Sequence, residues 1–296
     1  MEQYDVAFVG HYTKDTIVSA AGTRVVNGGA CNYGANVAAR MGLRTAVVTR
    51  LAREDAHVVE ELQRLGVDVF VRYTPFSTCL RLEYPTSNVD QRTIYVTSTA
   101  GPFTPVEVEP LQARAFLIGA SMRGEVGLDV IGALRRKDAL LVADVQSFIR
   151  IERDGVLVPA PWPEKERVLS CLDVLKADAV EAELLTGESD LRAAARLIVE
   201  LGPHEVVLTH RDGVLVYVDG KFYEAGFFPQ QLVGRSGRGD TCIASYVCKR
   251  LTAPPAEATI WAAAVTSLKM EAEGPFRRDI SEVNHLIRTK YKQPRL

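Results

Sequence analysis

Short apolar runs recur along the chain and are typical of β-strands, because they are rich in β-branched and aromatic residues. They read YDVAFVG, TAVVTRL, AFLIGA, LLVADVQ, EVVLTH and VLVYVDG, and each is bounded by glycine, proline or charged residues. Between several of them lie segments with helical spacing of apolar residues, among them ANVAARMG, DAHVVEELQRLG, VGLDVIGALRRK and DLRAAARLIVELG. This alternation predicts an α/β fold, with a doubly wound, mostly parallel sheet covered by helices on both faces. Such sheets bind ligands beyond the carboxyl ends of their strands.

One region breaks the alternation. Residues 67–99 contain three alternating strand-like runs and no helical pattern, which favours hairpins. Together with residues 16–27 they predict a small antiparallel sheet that projects from the α/β body as a lid. Because no repeat or linker-like stretch separates two independent units, we expect residues 1–296 to form a single domain.

Composition narrows the classes of protein that fit. Of the 296 residues, 47% are hydrophobic and 24% charged, and the formal net charge is -2, as in ordinary globular proteins. The near-neutral charge argues against a nucleic-acid partner. Five cysteines without a C-x-x-C pair suggest neither a disulfide framework nor a thiolate zinc site. With no signal peptide and no 18-residue apolar span, we expect a cytoplasmic protein without a membrane partner.

A glycine-rich stretch stands out near the C-terminus. In LVGRSGRGDTCIASYVCKRL, Gly234, Gly237 and Gly239 precede Asp240 and an apolar, helix-like run. Backbone amides in such a turn, at the start of a helix, predict an anion site. Asp240 taken alone is equally typical of a helix N-cap, with the glycines only forming the turn. A dinucleotide fingerprint is disfavoured, because Cys242 stands at its third glycine and the first strand is far away.

Polar residues follow several other predicted strands or open predicted helices. Asp15 comes just after the first strand, and the segment NGGACNYGANVAARMG opens a helix. ADVQSFIR and LKADAVEAELLTG each follow an apolar strand at its carboxyl end. Taken alone, the acids in the last segment are more typical of a solvated helix start, where the helix dipole favours negative charge.

Taken together and in this order, these motifs resemble the ribokinase-like (phosphofructokinase B-type) family of ATP-dependent sugar and nucleoside kinases, essentially end to end. Gly28–Gly29 matches the family's double glycine before a helix, and Asp178–Glu181 matches its Asn-x-x-Glu segment with one change. Thr209 and Gly213 match a Thr followed four residues later by Gly. GRSGRGD stands where the family has Asp-Thr-x-Gly-Ala-Gly-Asp.

The resemblance implies a doubly wound, ribokinase-like kinase that uses ATP and Mg²⁺. Asp240 would be the catalytic base, and the amides of Gly237, Arg238 and Gly239 would hold the transferring phosphoryl group. The remaining implied roles are ATP binding by Lys176, Thr209, Gly213, Arg235, Gly237 and Gly239, magnesium near Asp178 and Glu181, and acceptor binding by Asp15, Gly28, Gly29, Asn32, Asp144, Gln146 and Arg150. A homodimer is left open.

Three departures from the family pattern alter this picture. Gly234 and Arg235 replace its Asp-Thr pair, which leaves the dependence on a monovalent cation open. Arg238 replaces its Ala, and Asp178 adds a negative charge where relatives have Asn. We infer that Arg235 and Arg238 bring additional positive charge to the ATP phosphates, because arginine favours bidentate phosphate contacts.

The segment DVQSFIR looks like the D-x-Q-x-[FL]-[IV]-R stretch of the family's myo-inositol kinase branch. The expected acceptor is therefore a polyol, myo-inositol, with ribose, a hexose, a sugar acid or a nucleoside as alternatives.

Two other classes of function fit this sequence less well. A non-catalytic ligand sensor fits the altered GRSG turn, but it has no need for Asp240, Asp178 and Glu181 together. A nicotinamide-dependent oxidoreductase is disfavoured, because no glycine fingerprint follows the first strand.

Overall fold

The computed structural model describes residues 3–20, 22–86 and 92–291. Its strands are β1 (Tyr4–Val9), β2 (Thr13–Ser19), β3 (Gly22–Gly28), β4 (Thr45–Leu51), β5 (Asp68–Tyr73), β6 (Thr78–Glu83), β7 (Thr93–Ser98), β8 (Ala113–Ile118), β9 (Leu140–Asp144), β10 (Arg150–Arg153), β11 (Val156–Pro159), β12 (Val174–Asp178), β13 (Glu205–Thr209), β14 (Gly213–Val218) and β15 (Lys221–Gly226). Its α-helices are α1 (Ala30–Arg40), α2 (His57–Arg64), α3 (Pro105–Val108), α4 (Leu128–Arg135), α5 (Gln146–Ile149), α6 (Lys165–Leu169), α7 (Ala179–Thr186), α8 (Leu191–Glu200), α9 (Arg238–Arg250), α10 (Pro255–Met270) and α11 (Ile280–Lys290).

Nine strands form the main sheet, in the order β15-β14-β13-β12-β9-β8-β1-β4-β5. The seven strands from β13 to β5 are parallel to their neighbours, and β14 and β15 add an antiparallel hairpin at one edge. The predicted doubly wound, mostly parallel sheet is confirmed.

Both faces of the main sheet are buried, which explains why its strands read as nearly continuous apolar runs. Strand β1 shows this directly: Ala7 and Val9 pack into one core beneath α4 and α8, whereas Val6 and Phe8 pack into the other beneath α1, α9 and α10. Successive side chains of a strand point to opposite faces of the sheet, so β1 contributes residues to both cores.

A second sheet of six strands has the order β10-β11-β7-β6-β2-β3. It is mostly antiparallel, but β2 and β6 pair in parallel. We call this second sheet the lid. The hairpin of β10 and β11 belongs to it, which the sequence reasoning did not predict.

The predicted boundaries of the lid need one correction. The first of the three runs in residues 67–99 is β5, which pairs in parallel with β4 and forms the edge of the main sheet. Side chains along β5 alternate between exposed and half-buried, as they do on a strand with one covered face. This edge position produces the same alternation as a lid strand, so the pattern alone did not separate the two.

The carboxyl ends of neighbouring strands β9, β12 and β13 bring Asp144, Asp178 and Thr209 to one edge of the main sheet. The start of α9 and the lid lie over the same edge, as their shared cavity linings show. None of the helices in the described ranges combines the length and the apolar character needed to span a bilayer.

Candidate active site

Two cavities adjoin each other at the carboxyl edge of the main sheet. One, of about 190 Å³, is lined by the side chains at the ends of β9 and β12 and by the start of α9; we call it the basic cavity. The other, of about 80 Å³, lies between the lid and the first turn of α1; we call it the lid cavity. Both are bordered by Arg92, Gln146, Arg150, Gly237 and Asp240.

The start of α9 is built on a glycine that no other residue replaces easily. Gly237 is the N-cap, with a left-handed φ of 73°, and a Cβ there would lie 2.3 Å from the Tyr33 ring. The amides of Gly237, Gly239 and Asp240 have no acceptor among the described residues. They are therefore available to an anion at the positive end of the helix.

The amide of Arg238 is also predicted to bind the phosphoryl group, but in the structure it is already hydrogen-bonded. Its N–H donates to the carbonyl of Arg235 at 3.1 Å and so closes the turn before α9. The amide of Asp240 is available in its place. The side chain of Arg238 still lines the basic cavity, so this residue contributes charge there and not its backbone.

Asp240 is the third residue of α9, which begins at Arg238. No side chain caps this helix, because Gly237 holds the N-cap position, so Asp240 is not the cap. Burial raises the pKa of Asp240, while Lys176, Arg150 and Lys269 oppose that rise. A buried carboxylate with a raised pKa is suited to accept a proton.

A buried ion-pair network forms the floor of the basic cavity. Lys176 Nζ lies 2.9 Å from Asp144 Oδ2 and 3.6 Å from Glu181 Oε2, and Arg150 donates to Glu181 Oε1 at 2.8 Å. Burial alone would raise the pKa of Glu181, but Lys176 and Arg150 lower it to about 2. Glu181 therefore stays ionised. Burial together with Glu181 and Asp240 raises the pKa of Asp144, against the pull of Lys176.

Lys176 reaches the start of α9 because position 239 has no side chain. A Cβ on Gly239 would lie 2.7 Å from Lys176 Nζ. The ammonium group thus adds a full positive charge beside the partial positive charge of the helix end. Asp144, which the sequence predicts on the acceptor side, borders the basic cavity and not the lid cavity.

Asp178 and Glu181 are predicted to hold magnesium, and in the structure they form a capping box at the start of α7. The amide of Glu181 donates to Asp178 Oδ1 and the amide of Asp178 donates to Glu181 Oε2, both at 2.8 Å. Among the described residues no group of three or more His, Cys, Asp or Glu is arranged to hold a metal ion. Both oxygens of Glu181 are engaged within the fold, by Arg150 and by Lys176 and the Asp178 amide. On this pair, Asp178 Oδ2 is the atom that could face a hydrated Mg²⁺ carried mainly by donor oxygens.

Of the other residues predicted to bind the donor, Thr209 and Arg235 line the basic cavity. Gly213 does not. It opens β14, where a Cβ would lie 2.5 Å from the Ala225 carbonyl, and its own carbonyl accepts from the amide of His210. The glycine at this position is explained by close packing of β14 on β15.

On the acceptor side, Asp15 and Gly29 border the lid cavity. Asp15 is buried, and its Oδ1 has no hydrogen-bond partner among the described residues. Burial raises its pKa to about 6, with Asp240 adding to the rise and Thr13 and Arg92 opposing it. Gly28 keeps the carboxylate in place, because a Cβ there would lie 2.3 Å from Asp15 Oδ2.

Asn32 is placed differently from its prediction. Its side-chain amide donates to the Asn27 carbonyl at 3.1 Å and its Oδ1 accepts from Asn36, so it fastens β3 to α1 and does not border the lid cavity. Gln146 does border it. Its backbone amide donates to Asp144 Oδ1 at 3.1 Å, and this bond fixes the turn between the two cavities.

Residues 4–277 match the model of the pfkB family of carbohydrate kinases. The chain belongs to this family. A solved pyrophosphate-dependent kinase of the ribokinase family, complexed with a pyrophosphate analog and myo-inositol, is 36% identical; the match covers 95% of this chain and 99% of the other, with a TM-score of 0.87. A sulfate complex of a pyrophosphate-dependent kinase in the ribokinase family is 38% identical and covers 94% and 99%, with a TM-score of 0.88.

A curated relative, the cytidine kinase of Thermococcus kodakarensis, is 27% identical over 249 residues, which is 80% of this chain and 84% of that protein. The ribokinase-like fold and the family predicted from the sequence are confirmed. As a pfkB carbohydrate kinase, the chain is a phosphotransferase with a hydroxyl acceptor.

Sequence reasoning missed part of this pfkB site. The lid cavity is also bordered by Tyr33, Leu80, Leu82, Ile94, Ser121 and Leu157, and Arg92 borders both cavities. Leu80 and Leu82 lie two residues apart on one predicted strand, so the sequence predicts that they share a face of it. The pattern does not indicate that this face borders a ligand-binding cavity.

Proposed function

We propose that this chain transfers a phosphoryl group from inorganic pyrophosphate to a hydroxyl of myo-inositol or a closely similar polyol, with Asp240 as general base. The observation that carries the proposal is the position of Asp240 at the junction of the two cavities, one basic and one lined by the lid. A base at such a junction can reach a hydroxyl in the lid cavity while that hydroxyl faces a phosphate in the basic cavity.

In the proposed reaction the acceptor oxygen bonds to the near phosphorus as the bridging P–O bond of pyrophosphate breaks. The hydroxyl proton passes to Asp240, and the far phosphate leaves as orthophosphate. The amides of Gly237 and Gly239 hold the transferring group, where charge stabilisation is the main catalytic effect. Lys176 adds its charge at the same point.

Mg²⁺, where bound, would neutralise donor oxygens from the side of Asp178 and Glu181. The chain's own contribution on that side is the capping box, which fixes both carboxylates in the lining of the basic cavity. Thr209, at the end of β13, completes this donor side.

The choice of pyrophosphate over the ATP predicted from the sequence rests on charge and size. Among the described residues, five cationic side chains border the basic cavity against four carboxylates, so its lining has a small excess of positive groups. The cations are Arg92, Arg150, Lys176, Arg235 and Arg238, and the carboxylates are Asp144, Asp178, Glu181 and Asp240. The volume of this cavity, about 190 Å³, is below the ~300–1,000 Å³ typical of sites for larger ligands. Two solved pyrophosphate-dependent relatives support the same donor.

The choice of myo-inositol rests on the segment DVQSFIR, whose Gln146 and Arg150 border the lid cavity, and on the relative complexed with myo-inositol. Asp15 offers a hydroxyl group its Oδ1, which has no hydrogen-bond partner in the part of the chain that the structure describes. The apolar side chains of Leu80, Leu82 and Ile94 fit the carbon face of a ring. A nucleoside acceptor is the second candidate, since a cytidine kinase is among the relatives.

The test measures transfer from each of two donors, pyrophosphate and ATP, to each of five acceptors in the presence of Mg²⁺. The acceptors are myo-inositol, ribose, fructose, adenosine and cytidine. Phosphorylated acceptor is measured by phosphorus NMR, with an Asp240→Asn preparation as the blank for contaminating kinases. We expect the highest kcat/KM for pyrophosphate with myo-inositol. A higher value for ATP would overturn the donor, and a higher value for an aldose or nucleoside would overturn the acceptor. Binding without transfer for every pair would favour the sensor.

A further inference from the structure

A buried lysine lies behind the phosphate-binding turn and is not explained by the proposed chemistry. Lys269 stands in the last turn of α10 and is only 2% exposed. Its Nζ donates to the Gly234 carbonyl at 3.1 Å and also to the Ser236 carbonyl. The ring of Tyr33 lies 5.4 Å away, close enough for a cation–π contact.

The contact with Ser236 fixes the direction of an amide in the active site. The Ser236 carbonyl and the Gly237 N–H belong to one planar peptide unit, in which the two groups point in opposite directions. When the ammonium of Lys269 holds the carbonyl, the N–H is turned away from α10. Gly237 borders both cavities, and its amide has no acceptor among the described residues.

Backbone hydrogen bonds and close packing hold the turn against the end of α10. The amides of Val233 and Gly234 both donate to the Met270 carbonyl, at 2.9 and 3.1 Å. A Cβ on Gly234 would lie 2.5 Å from the Ala272 carbonyl, so the backbone at this position lies directly against the backbone after α10. The turn therefore cannot shift toward α10 to find other partners if Lys269 is removed.

Burial lowers the pKa of Lys269 to about 8, against the opposing effects of Glu273 and Asp240. The group is mostly charged at neutral pH. A buried cation is tolerated only when polar groups replace its water, and here two carbonyls and an aromatic ring do so. These are also the groups that would surround a bound monovalent cation.

We propose that Lys269 is a positioning residue that holds the Ser236–Gly237 peptide with its N–H toward the transferring phosphoryl group, and that its ammonium takes the place of a free monovalent cation. The inference rests on the proposed kinase reaction. With this ammonium group at the altered GRSG turn, the chain needs no free monovalent cation.

Two consequences are measurable. Wild-type transfer should proceed at the same rate in buffers whose only cations are Mg²⁺ and tetramethylammonium as in buffers with added K⁺. In Lys269→Met, kcat should fall by at least ~10-fold, because losing a single oxyanion donor costs ~10²–10³. Added K⁺ or NH₄⁺ should restore much of that loss, whereas the larger tetramethylammonium ion should not.

Lys249→Met is the matched control. Lys249 also stands in the last turn of a buried helix and over an aromatic ring, with Nζ 5.1 Å from the Trp261 ring centroid, but it does not contact the turn. Its removal should leave kcat and cation dependence unchanged. If Lys269→Met does not fold, Lys269→Gln replaces it, with the same expected loss and rescue.

A second readout does not depend on turnover. Binding of imidodiphosphate, a non-hydrolysable pyrophosphate analogue, is measured by calorimetry in wild-type protein and in Lys269→Met, with and without K⁺. We expect weaker binding in the variant and recovery with K⁺. If wild-type protein transfers phosphate to no acceptor, the proposed function fails while this comparison still tests Lys269. Unchanged kcat and binding in the folded variant, or a loss that no cation restores, would overturn the inference.

Discussion

Asp240 combines two properties at the start of α9. It occupies the third position of α9, where its backbone amide is available to an anion, and its side chain makes no capping bond. The carboxylate is therefore not needed to start the helix. Its role can be tested without disturbing the fold.

We predict that Asp240→Asn lowers kcat by ~10²–10⁴, the usual effect of losing a general base, while imidodiphosphate binding and the melting temperature change little. Steady-state kinetics and calorimetry measure these quantities. Glu257→Gln is the matched control, because Glu257 is exposed and occupies the same third position in α10. A variant that keeps more than about a tenth of wild-type kcat, well above the range expected for a lost base, would rule out the proposed role of Asp240.

Asp15 should act on acceptor binding and not on the donor. We predict that Asp15→Asn raises the KM for the acceptor by an amount corresponding to ~1–3 kcal/mol, the cost of an impaired buried hydrogen bond, and leaves the KM for pyrophosphate unchanged. In wild-type protein, acceptor affinity should fall as pH drops through about 6, where Asp15 gains a proton. An unchanged acceptor KM would remove Asp15 from the binding site.

The same pKa shift affects stability. The pKa of Asp15 is raised from 3.8 in the reference state to about 6 in the fold, so the folded chain binds this proton more tightly than the unfolded one. By linkage, the stabilising contribution is complete below pH 3.8 and is lost as pH rises through about 6. Chemical denaturation of wild-type protein and Asp15→Asn across this range should show that only the wild type carries this loss.

At the scale of elements, the start of α9 depends on close approach between Gly239 and Lys176. We predict that Gly239→Ala displaces the ammonium group and lowers kcat/KM by ~10-fold or more, since small displacements in active sites cost up to ~10². Gly132→Ala in α4 is the control: its Cβ would meet only Arg136, at 3.8 Å, and should stabilise the chain by ~0.5–1 kcal/mol. Wild-type kinetics in Gly239→Ala would contradict the importance of this contact.

The lid offers a prediction for a whole sheet. Leu80, Leu82 and Ile94 on β6 and β7 border the lid cavity, so a bound acceptor should hold these strands in place and exclude water. We expect amide hydrogen exchange in β2, β3, β6 and β7 to slow when acceptor is added, while β14 and β15, at the far edge of the main sheet, stay unchanged. Equal exchange in the lid with and without acceptor would refute its closure.

How far the sequence predicts these elements depends on the range of the interactions that fix them. Local residue patterns predict the glycine turn, the helix after it and the strands of the parallel sheet. Turn-forming residues indicate the first, and apolar runs indicate the helix and the strands. The position of β5 does not follow from such patterns, since pairing with β4 is a long-range contact that leaves the same alternation as a lid strand. The N-cap at Gly237 does not follow from the sequence, because Asp240 is by residue type equally typical of a cap.

The candidate site divides in the same way. Asp240, Asp15 and Glu181 lie within recognisable motifs, and the structure places each beside a cavity. Lys269 lies in an unremarkable apolar helix, about thirty residues after the turn that it contacts. The ammonium group reaches the turn because α10 packs against it. This long-range contact leaves no local pattern in the sequence.

At the scale of the whole molecule, two ligands in adjoining cavities should stabilise the fold together. By mass action, each ligand at 100 times its Kd adds ~2.7 kcal/mol, which corresponds to a rise in melting temperature of several degrees in a chain of this size. We predict such a rise in Asp240→Asn with pyrophosphate and with myo-inositol, and a larger one with both. Differential scanning fluorimetry measures it, with ATP and cytidine as comparison ligands; no rise with pyrophosphate would contradict the proposed donor.

The close approach of Gly234 to the Ala272 carbonyl limits the residues that this turn can accept. Any side chain at position 234 would run into backbone and not into a flexible neighbour. The Asp-Thr pair of other family members is therefore out of reach by substitution at positions 234 and 235 alone, because the segment after α10 would first have to move. Variants that carry this pair should therefore pack poorly at the end of α10.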